Sequence, residues 1–264
     1  MPDDDWVELH KSRFADLLFH CGNEIDPGVL GTPELRDWSA RPTTDDQYRI
    51  ESYLDRLDLR TKRILHIGIG NSGLAKRFHR RAREIVGTSV DGPEIGLARS
   101  LSLPNYAAVE HNKYSGHSNE ITGKFDLIVD NNLTSSCCCF SHLRRLFEFL
   151  AAKLSPNGQV ITDSAGLAWI PQTAHPRWQL SFDDLAAVAK VADLAAYRID
   201  QNIFVLARTP PPIPRLLPSL PQLITQTGLL GRKLVRAGKQ VRRAVLRARS
   251  GLAQRTLVSN HLSA

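Results

Sequence analysis

The chain has 264 residues, which fits one α/β domain with an appendage or, at most, two small domains. Hydrophobic residues make up 42% and charged residues 23%, so the composition is that of a globular protein and excludes disorder throughout. The net charge is +7, but every acidic residue lies at or before Asp200, so residues 1–208 carry a net charge of −3 and residues 209–264 carry +10.

The first 60 residues are predicted to form a helical extension. Residues 6–20 have the apolar spacing of a short amphipathic helix. Glycine and proline interrupt residues 21–42, which are predicted to be irregular. Residues 45–58 again have helical spacing, after a cap at Thr43 or Thr44.

From residue 63 onward, short apolar runs alternate with amphipathic segments. Strands are predicted at residues 63–70, 85–90, 106–110, 125–130 and within 155–163. Helices are predicted between and after them at residues 74–84, 93–101, 141–154 and 181–194, the last opened by a capping box of Ser181 and Asp184. This alternation is typical of a parallel sheet covered by helices on both faces.

Two further strands, residues 197–200 and 203–208, are separated by two residues. A link of that length joins antiparallel strands but not parallel ones. We therefore predict, for residues 61–208, a doubly wound, Rossmann-like, mostly parallel seven-stranded sheet that ends in an antiparallel hairpin.

A glycine pattern lies at the first strand-to-helix turn. Gly68, Gly70 and Gly73 form G-x-G-x-x-G, and Asp91 lies 21 residues beyond Gly70, at the end of the second strand. This combination is typical of a nucleoside-bearing ligand, with the carboxylate on the ribose hydroxyls. The alternative is that the glycines only make the turn and Asp91 only caps a helix.

Four segments of the sequence distinguish between a dinucleotide and S-adenosylmethionine as that ligand. LHIGIGNSGLAKRF, VGTSVDGPEIGLAR, KFDLIVDNN and LAAKLSPNGQVITD occur in this order. Over residues 63–163 the chain resembles the class I S-adenosylmethionine-dependent methyltransferases, and the hairpin near residues 197–208 matches the terminal hairpin of that family.

The resemblance implies S-adenosylmethionine as the cofactor and assigns residues to it. Asp91 would hold the ribose, and Asn112 would lie near the adenine. The methionine part would lie against the turn formed by Gly68, Gly70, Asn71, Ser72 and Gly73. The sulfonium would lie beside Asp130 and Asn131 at the end of the fourth strand. The chain departs from the family pattern at His66, where an acidic residue is usual, at Ser72, where the third glycine is usual, and at Val90, where the ribose acid is usual.

A sulfonium methyl group is already electrophilic, so the protein need only position a nucleophile and help to remove its proton. Candidate bases near the strand ends are Asp130, Asp163, His142 and His175. Asp130 and His175 are the predicted catalytic residues. His142 and Asp163 have simpler interpretations as residues that cap or pack.

We predict a methyltransferase that acts on a small molecule or a glycan-type substrate. No D-P-P-Y or N-P-P-Y follows the fourth strand and no P-C dipeptide is present, which disfavours the nucleobase methyltransferases of those types. The alternatives are an aminopropyltransferase resembling the polyamine synthases, an NAD(P)-dependent oxidoreductase, and a cofactor-binding scaffold without catalysis.

The chain has four cysteines, Cys21 and the run Cys137–Cys139. Four cysteines in a chain of this length do not predict a disulfide framework. Adjacent cysteines also lack the spacing of paired zinc ligands, so no metal site is predicted. The run SSCCCF either lines the active site or packs at the start of the next helix, and packing is favoured.

The last residues differ from the rest in composition. Residues 209–228 are predicted to be a proline-rich linker, and residues 229–255 a basic amphipathic helix with a narrow apolar stripe. The helix is predicted either to lie on an anionic membrane surface or to pack on its own domain. Nucleic acid is disfavoured as a partner because no aromatic residue is interleaved.

Location is predicted from the start of the chain and from the lengths of its apolar runs. The start MPDDDW is acidic, unlike a signal peptide, and no apolar run has the length of a membrane span. We expect a cytoplasmic protein, which would be peripheral at the inner face of the membrane if the basic helix lies on a membrane instead of its own domain.

Overall fold

A computed structural model describes residues 3–22, 37–116, 119–171 and 174–211 of the chain. All of them belong to one compact unit, Met1–Pro214. The predicted basic helix, residues 229–255, and most of the predicted linker lie outside the described residues.

Seven strands form one sheet in the order β3-β2-β1-β4-β5-β7-β6. Their bounds are β1 Arg63–Ile67, β2 Glu84–Ser89, β3 Tyr106–Glu110, β4 Phe125–Asp130, β5 Leu154–Asp163, β6 Ala195–Arg198 and β7 Ile203–Ala207. Neighbouring strands from β3 to β5 pair in parallel, whereas β7 pairs antiparallel with both β5 and β6. The predicted seven-stranded sheet with a terminal antiparallel hairpin is confirmed.

Seven helices accompany the sheet in the described part of the chain. Their bounds are α1 Asp3–Arg13, α2 Asp45–Leu54, α3 Gly73–Phe78, α4 Gly92–Ser100, α5 Phe140–Lys153, α6 Ser164–Ala168 and α7 Phe182–Val191. The capping box predicted for α7 is present: the Ser181 hydroxyl accepts from the Asp184 N–H, and the Asp184 carboxylate accepts from the Ser181 N–H. Helix α6 and two short 3₁₀ turns were not predicted.

Several predicted elements have different bounds in the structure; among them, β1 ends at Ile67 instead of residue 70 and α2 ends at Leu54 instead of residue 58. Helix α1 ends at Arg13, seven residues before its predicted end, because the chain turns at Phe14 to bury that ring. Helix α3 ends at Phe78 instead of residue 84, because the chain makes a turn there and then enters β2. The predicted turn before the fifth strand is part of β5, as an irregularity in its pairing with β4.

The two faces of the sheet carry separate apolar cores, because successive side chains of a strand point to opposite faces. On β1, Leu65 and Ile67 belong to the core that includes α1, α5 and α7. Ile64 belongs to the core that includes α2 and α3. The N-terminal helices thus pack one on each face, which brings residues 37–47 to the carboxyl end of the strands.

Among the described residues, no helix combines the length and the apolar character needed to cross a bilayer.

Candidate cofactor-binding cavity

A cavity of about 510 Å³ opens where strands β1 to β4 end. In an open α/β sheet this edge, at the point where the strand order reverses, is where ligands bind. The volume lies in the range of small-molecule sites. The chain segments that line it just after the strands, or at their ends, are residues 66–71, 88–90, 111–114 and 130–132.

The turn after β1 forms one wall of the cavity. Gly68 has φ +76°, and nothing lies within 4 Å of the position that a Cβ there would take. The N–H of Gly68 donates to the carbonyl of Thr88 at 2.8 Å, which fixes the turn against β2. A Cβ on Gly73 would lie 2.6 Å from Thr43 Oγ1, so this glycine lets the N-terminal segment approach. The predicted glycine turn is therefore formed, and backbone lines the cavity at Gly68.

The other residues predicted in the turn have separate positions. Asn71 lines the cavity, and its Nδ2 donates to the carbonyl of Arg41 at 2.8 Å. Ser72 has φ +57° and is fully buried, with its hydroxyl 3.0 Å from the Tyr106 hydroxyl. Ser72 does not line the cavity.

The acidic group that faces the cavity at the end of β2 is Glu94, not Asp91. Asp91 caps α4 by accepting a hydrogen bond from the Glu94 N–H at 3.2 Å, so its carboxylate is turned toward the helix. The Glu94 carboxylate accepts from Ser89 Oγ at 2.6 Å, from the Trp38 N–H at 2.9 Å and from the Gly70 N–H at 3.2 Å. Burial raises the pKa of Glu94, and the hydrogen bond from Ser89 opposes that rise.

Sequence reasoning missed Glu94 because the spacing rule points to the strand end, whereas this carboxylate lies one turn into the helix. A signal was present: Glu94 follows Pro93 in the first turn of α4, where its side chain can fold back over the glycine turn.

The N-terminal segment closes one side of the cavity, which the sequence did not predict. Trp38, Arg41 and Thr43 all line it. The Arg41 guanidinium lies 4.4 Å from the centroid of the Trp38 ring. The irregular composition of residues 37–44 carries no periodic signal for this contact.

At the end of β4, Asp130 lines the cavity and pairs with Lys113. Its two carboxylate oxygens accept from Lys113 Nζ at 2.9 and 3.2 Å, and the same ammonium donates to the carbonyl of Asn132 at 2.7 Å. Burial raises the pKa of Asp130, while the charge of Lys113 lowers it. The neighbouring Asn131 also lines the cavity, and its Nδ2 donates to Asp46 at 2.6 Å.

The predicted adenine residue, Asn112, lines the cavity as well. Its Oδ1 accepts from the Tyr114 N–H at 3.0 Å and so caps the short turn after β3.

Five side chains that line the cavity each have a buried polar atom without a hydrogen-bond partner among the described residues. These atoms are Gln47 Nε2, His66 Nδ1, Thr88 Oγ1, His111 Nε2 and Asn131 Oδ1. Burial lowers the pKa of both His66 and His111 to about 4, so both rings are neutral at pH 7. Buried polar groups normally have partners, so these five side chains are unusual for the wall of a cavity.

Of the four candidate bases, Asp130 alone lines the cavity. His175 is exposed, and its Nδ1 accepts from the Arg177 N–H at 3.2 Å, so the structure does not bring this predicted catalytic residue to the cavity. Asp163 is fully buried in a two-hydrogen-bond pair with Arg49, both at 2.7 Å, and it also caps α6.

His142, the remaining candidate base, is fully buried on α5 and contacts cysteines instead of the cavity. The run SSCCCF divides accordingly: Ser135 and Ser136 line the cavity, while the cysteines pack at the start of α5. The spacing of the adjacent cysteines along the chain predicted no metal site. Cys21, Cys138 and Cys139 converge with His142, because tertiary contacts supply the separation that the local spacing lacks.

No protein-family model matches the chain, and no curated protein matches it in sequence. Solved structures similar to it include an amino pentose methyltransferase from Micromonospora echinaspora with SAM bound (12% identity, 67% of this chain, 93% of that chain, TM-score 0.48). The N-methyltransferase NodS from Bradyrhizobium japonicum is another (14% identity, 61% and 93%, TM-score 0.47). A third is a TehB-like SAM-dependent methyltransferase from Corynebacterium glutamicum (16% identity, 59% and 84%, TM-score 0.46).

Proposed function

We propose that the chain is an S-adenosylmethionine-dependent methyltransferase that acts on a small-molecule or glycan-type substrate. The observation that carries this proposal is the cavity itself: a glycine turn and the acidic side chains Glu94 and Asp130 meet at one edge of the sheet. The sequence resemblance supplies the identity of the cofactor, and the residues present fit it as follows.

Glu94 separates the two cofactor classes that share this fold. A dinucleotide needs the backbone N–H groups of the glycine turn for its pyrophosphate. Here the Gly70 N–H already donates to the Glu94 carboxylate, and the N–H groups of Gly68 and Ile69 donate to the Thr88 carbonyl. A carboxylate at this position also repels a pyrophosphate. S-adenosylmethionine has ribose hydroxyls for the carboxylate but no pyrophosphate, so this arrangement supports S-adenosylmethionine over NAD.

Residues around the cavity would hold different parts of the cofactor. Glu94 would accept from the ribose hydroxyls, the part that the resemblance assigned to Asp91. Asn112 and His111 would lie toward the adenine, and the Gly68 backbone toward the methionine part. When bound, S-adenosylmethionine supplies an electrophilic methyl group on a sulfonium.

The residues of this chain position the acceptor and handle its proton. Asp130 Oδ1, the oxygen farther from Lys113 Nζ at 3.2 Å, is the candidate proton acceptor. Burial raises the pKa of Asp130 and so makes this carboxylate a better base. Before it accepts the proton, the carboxylate is neutralised by the Lys113 ammonium at 2.9 Å. Because Lys113 also donates to the Asn132 carbonyl, the carboxylate is held in one orientation.

The rim of the cavity favours an acceptor with an apolar face. Trp169 lies on it with 38% of its surface exposed, and Trp38 lies on the N-terminal side. Aromatic walls with a few fixed polar groups are typical of small-ligand sites, and the flat faces of sugar rings suit such walls.

Calorimetric titration of the full chain with S-adenosylhomocysteine and with NAD tests the cofactor. We expect binding of S-adenosylhomocysteine and none of NAD, and binding of NAD alone would overturn the proposal. An assay for release of S-adenosylhomocysteine over a panel of sugars and small alcohols, amines and acids then tests catalysis. Cofactor binding without turnover on any of these acceptors would favour the non-catalytic scaffold.

Two matched variants test the assignment of the ribose acceptor. Glu94→Gln removes the charge that faces the cavity and should weaken S-adenosylhomocysteine by about ten-fold, since hydrogen bonds to a charged group contribute about 1.5 kcal/mol or more. Asp91→Asn is the control, because asparagine is an equally good helix cap and Asp91 does not line the cavity. If Asp91→Asn weakens binding more than Glu94→Gln does, the ribose lies at Asp91 after all.

For the C-terminal residues, we propose that the predicted helix 229–255 binds an anionic membrane surface. Support comes from the charge of +10 over residues 209–264 and the apolar stripe in the sequence. Cosedimentation of the full chain with phosphatidylserine vesicles should exceed that with neutral vesicles, and deletion of residues 222–264 should abolish the difference. Unchanged binding after the deletion would refute the proposal.

A further inference from the structure

Four metal-ligand atoms converge at the start of helix α5, next to residues 131–136, several of which line the cavity. We call Cys21, Cys138, Cys139 and His142 the thiol cluster. Its four ligand atoms, three Sγ and His142 Nδ1, all lie within 4.8 Å of one another. His142 Nδ1 is 3.1 Å from the Sγ of Cys138, 3.1 Å from that of Cys139 and 3.5 Å from that of Cys21.

Local structure places three of the four ligands. Cys139 is the extended N-cap residue of α5, with φ −158° and ψ 165°. His142 lies three residues further, in the first turn, so its ring returns over the helix end toward Cys138 and Cys139. His142 is fully buried in this turn, so the residues packed around its ring hold it in place.

The N-terminal extension supplies the fourth ligand. The carbonyls of Leu18 and Phe19 accept hydrogen bonds from the N–H groups of Phe140 and Ser141, both at 2.8 Å. These contacts dock the extension on the N-terminus of α5 and carry Cys21 to the cluster. Its Sγ lies 3.4 Å from that of Cys138.

Hydrogen bonding does not account for this convergence. A neutral imidazole has one acceptor nitrogen with one lone pair, so it can accept one good hydrogen bond. Three sulfurs lie within 3.5 Å of His142 Nδ1. The other ring nitrogen, Nε2, has no hydrogen-bond partner among the described residues. Thiols lose their protons when a metal binds, and lone pairs of thiolates and imidazole that converge in this way are the arrangement that a metal cation requires.

We propose that the thiol cluster is a structural zinc site of the Cys₃His type. A tetrahedral zinc ion with Zn–S of about 2.3 Å and Zn–N of about 2.05 Å has edges of roughly 3.8 Å between sulfurs and roughly 3.6 Å between sulfur and nitrogen. Four of the six distances between the ligand atoms are 3.1 to 3.5 Å, slightly shorter than these edges, and the other two, between sulfurs, are no longer than 4.8 Å. Small side-chain shifts therefore admit the ion. Thiolates and imidazole together favour zinc over magnesium or calcium, which prefer oxygen ligands.

The number of ligands indicates a structural site. Four protein ligands complete a tetrahedron and leave no position for water or substrate, unlike catalytic zinc sites. The ion would join the N-terminal extension to α5. It would also fix the end of residues 131–139, whose Asn131, Asn132, Ser135 and Ser136 line the cavity.

Cys137 provides a matched control within the same run. It is buried like Cys139, but its Sγ is directed to the Cys139 carbonyl at 3.4 Å and it is not part of the cluster. Cys138, by contrast, is exposed, so Cys138→Ser removes a ligand without disturbing a core.

The test uses the full chain, purified under reducing conditions and loaded with zinc. Elemental analysis should find about one zinc per chain in the wild type and in Cys137→Ser. Competition with a chromophoric chelator should show that Cys21→Ser and Cys138→Ser bind zinc more than about ten-fold more weakly, since even outer-shell changes cost ten-fold or more. Cobalt in place of zinc should give the absorption of tetrahedral thiolate coordination.

A second measurement needs no variant. Zinc should protect Cys21 and Cys138 of the wild-type chain from alkylation, read by mass spectrometry, and a chelator should restore their reactivity. Absence of stoichiometric zinc in the reduced wild type would overturn the proposal. So would equal loss of zinc from Cys137→Ser and Cys138→Ser, or a Cys21–Cys138 disulfide that persists under reduction in place of the metal.

Discussion

The cavity and the thiol cluster lie at the two ends of one short segment, residues 131–139, and they are built in opposite ways. The cavity has polar atoms that find no partner among the described residues, His66 Nδ1 and Thr88 Oγ1 among them. The cluster has polar atoms that crowd against one another. Buried polar groups without partners lower stability, whereas a metal that binds the folded chain raises it. If the thiol cluster holds zinc as proposed, the cavity end of the segment lowers stability and the cluster end offsets that loss.

The largest expected effect is that of removing the metal. A chelator should lower the free energy of unfolding of the zinc-loaded chain by about 4 kcal/mol when free zinc had been a thousand times its Kd. Chemical denaturation with and without the chelator, followed by tryptophan fluorescence, measures this. Cys137→Ser should respond as the wild type does, and Cys138→Ser should respond little. If the chelator leaves the denaturation curve of the wild type unchanged, the thiol cluster does not stabilise the fold by binding zinc.

The same two regions show what the sequence could predict. The sheet, its order of strands and helices, and the glycine turn follow from local patterns: apolar runs, helical periodicity and the spacing of Gly68 and Gly70. Each of these signals lies within one or two neighbouring elements, where short-range sterics decide the outcome. Helix ends were less certain, because α1 and α3 end where a tertiary contact or the next strand takes over.

The residues that the structure places elsewhere than expected depend on contacts between distant parts of the chain. Cys21 and Cys138 are 117 residues apart, so no rule of local spacing can pair them. His175 follows a strand end, yet its loop carries it to the surface. Asp91 has the expected spacing from the glycines, but capping α4 is a stronger local demand on its carboxylate than facing the cavity.

The second largest expected effect is a pH dependence of the free energy of unfolding, which arises from the buried cavity residue His66. Because burial lowers the pKa of His66 from 6.5 to about 4, the unfolded chain binds the proton more readily between those pH values. The contribution of neutral His66 to the free energy of unfolding is therefore fully present above pH 6.5 and is lost as the pH falls toward 4. For this one group the loss approaches roughly 3 kcal/mol.

His66→Gln removes that proton-binding site. Its free energy of unfolding should fall less steeply than that of the wild type between pH 6.5 and 4, measured by urea denaturation at several pH values. Parallel curves for the two proteins would show that His66 can be protonated in the folded state, and so that it is not sealed into an apolar wall of the cavity.

The smallest effect is the sharpest test of the comparison, because two substitutions with the same chemistry should change stability in opposite directions. Thr88 and Thr134 are both almost fully buried, but Thr88 Oγ1 has no partner among the described residues, whereas Thr134 Oγ1 donates to the Trp178 carbonyl at 2.8 Å. Thr88→Val replaces an unpaired hydroxyl with a methyl group of similar shape and should raise the free energy of unfolding by about 1 kcal/mol. Thr134→Val breaks a hydrogen bond and leaves a buried carbonyl, so it should lower the free energy of unfolding by about 1 kcal/mol.

Thr88→Val should also bind S-adenosylhomocysteine more weakly, while Thr134→Val should not. A hydroxyl that lowers the stability of the fold is expected to be retained where a ligand uses it. Urea denaturation and calorimetric titration of the two variants measure both effects. If Thr88→Val lowers the free energy of unfolding as Thr134→Val does, the Thr88 hydroxyl of the wild type already has a partner within the folded chain. The cavity then lowers stability no more than an ordinary core does.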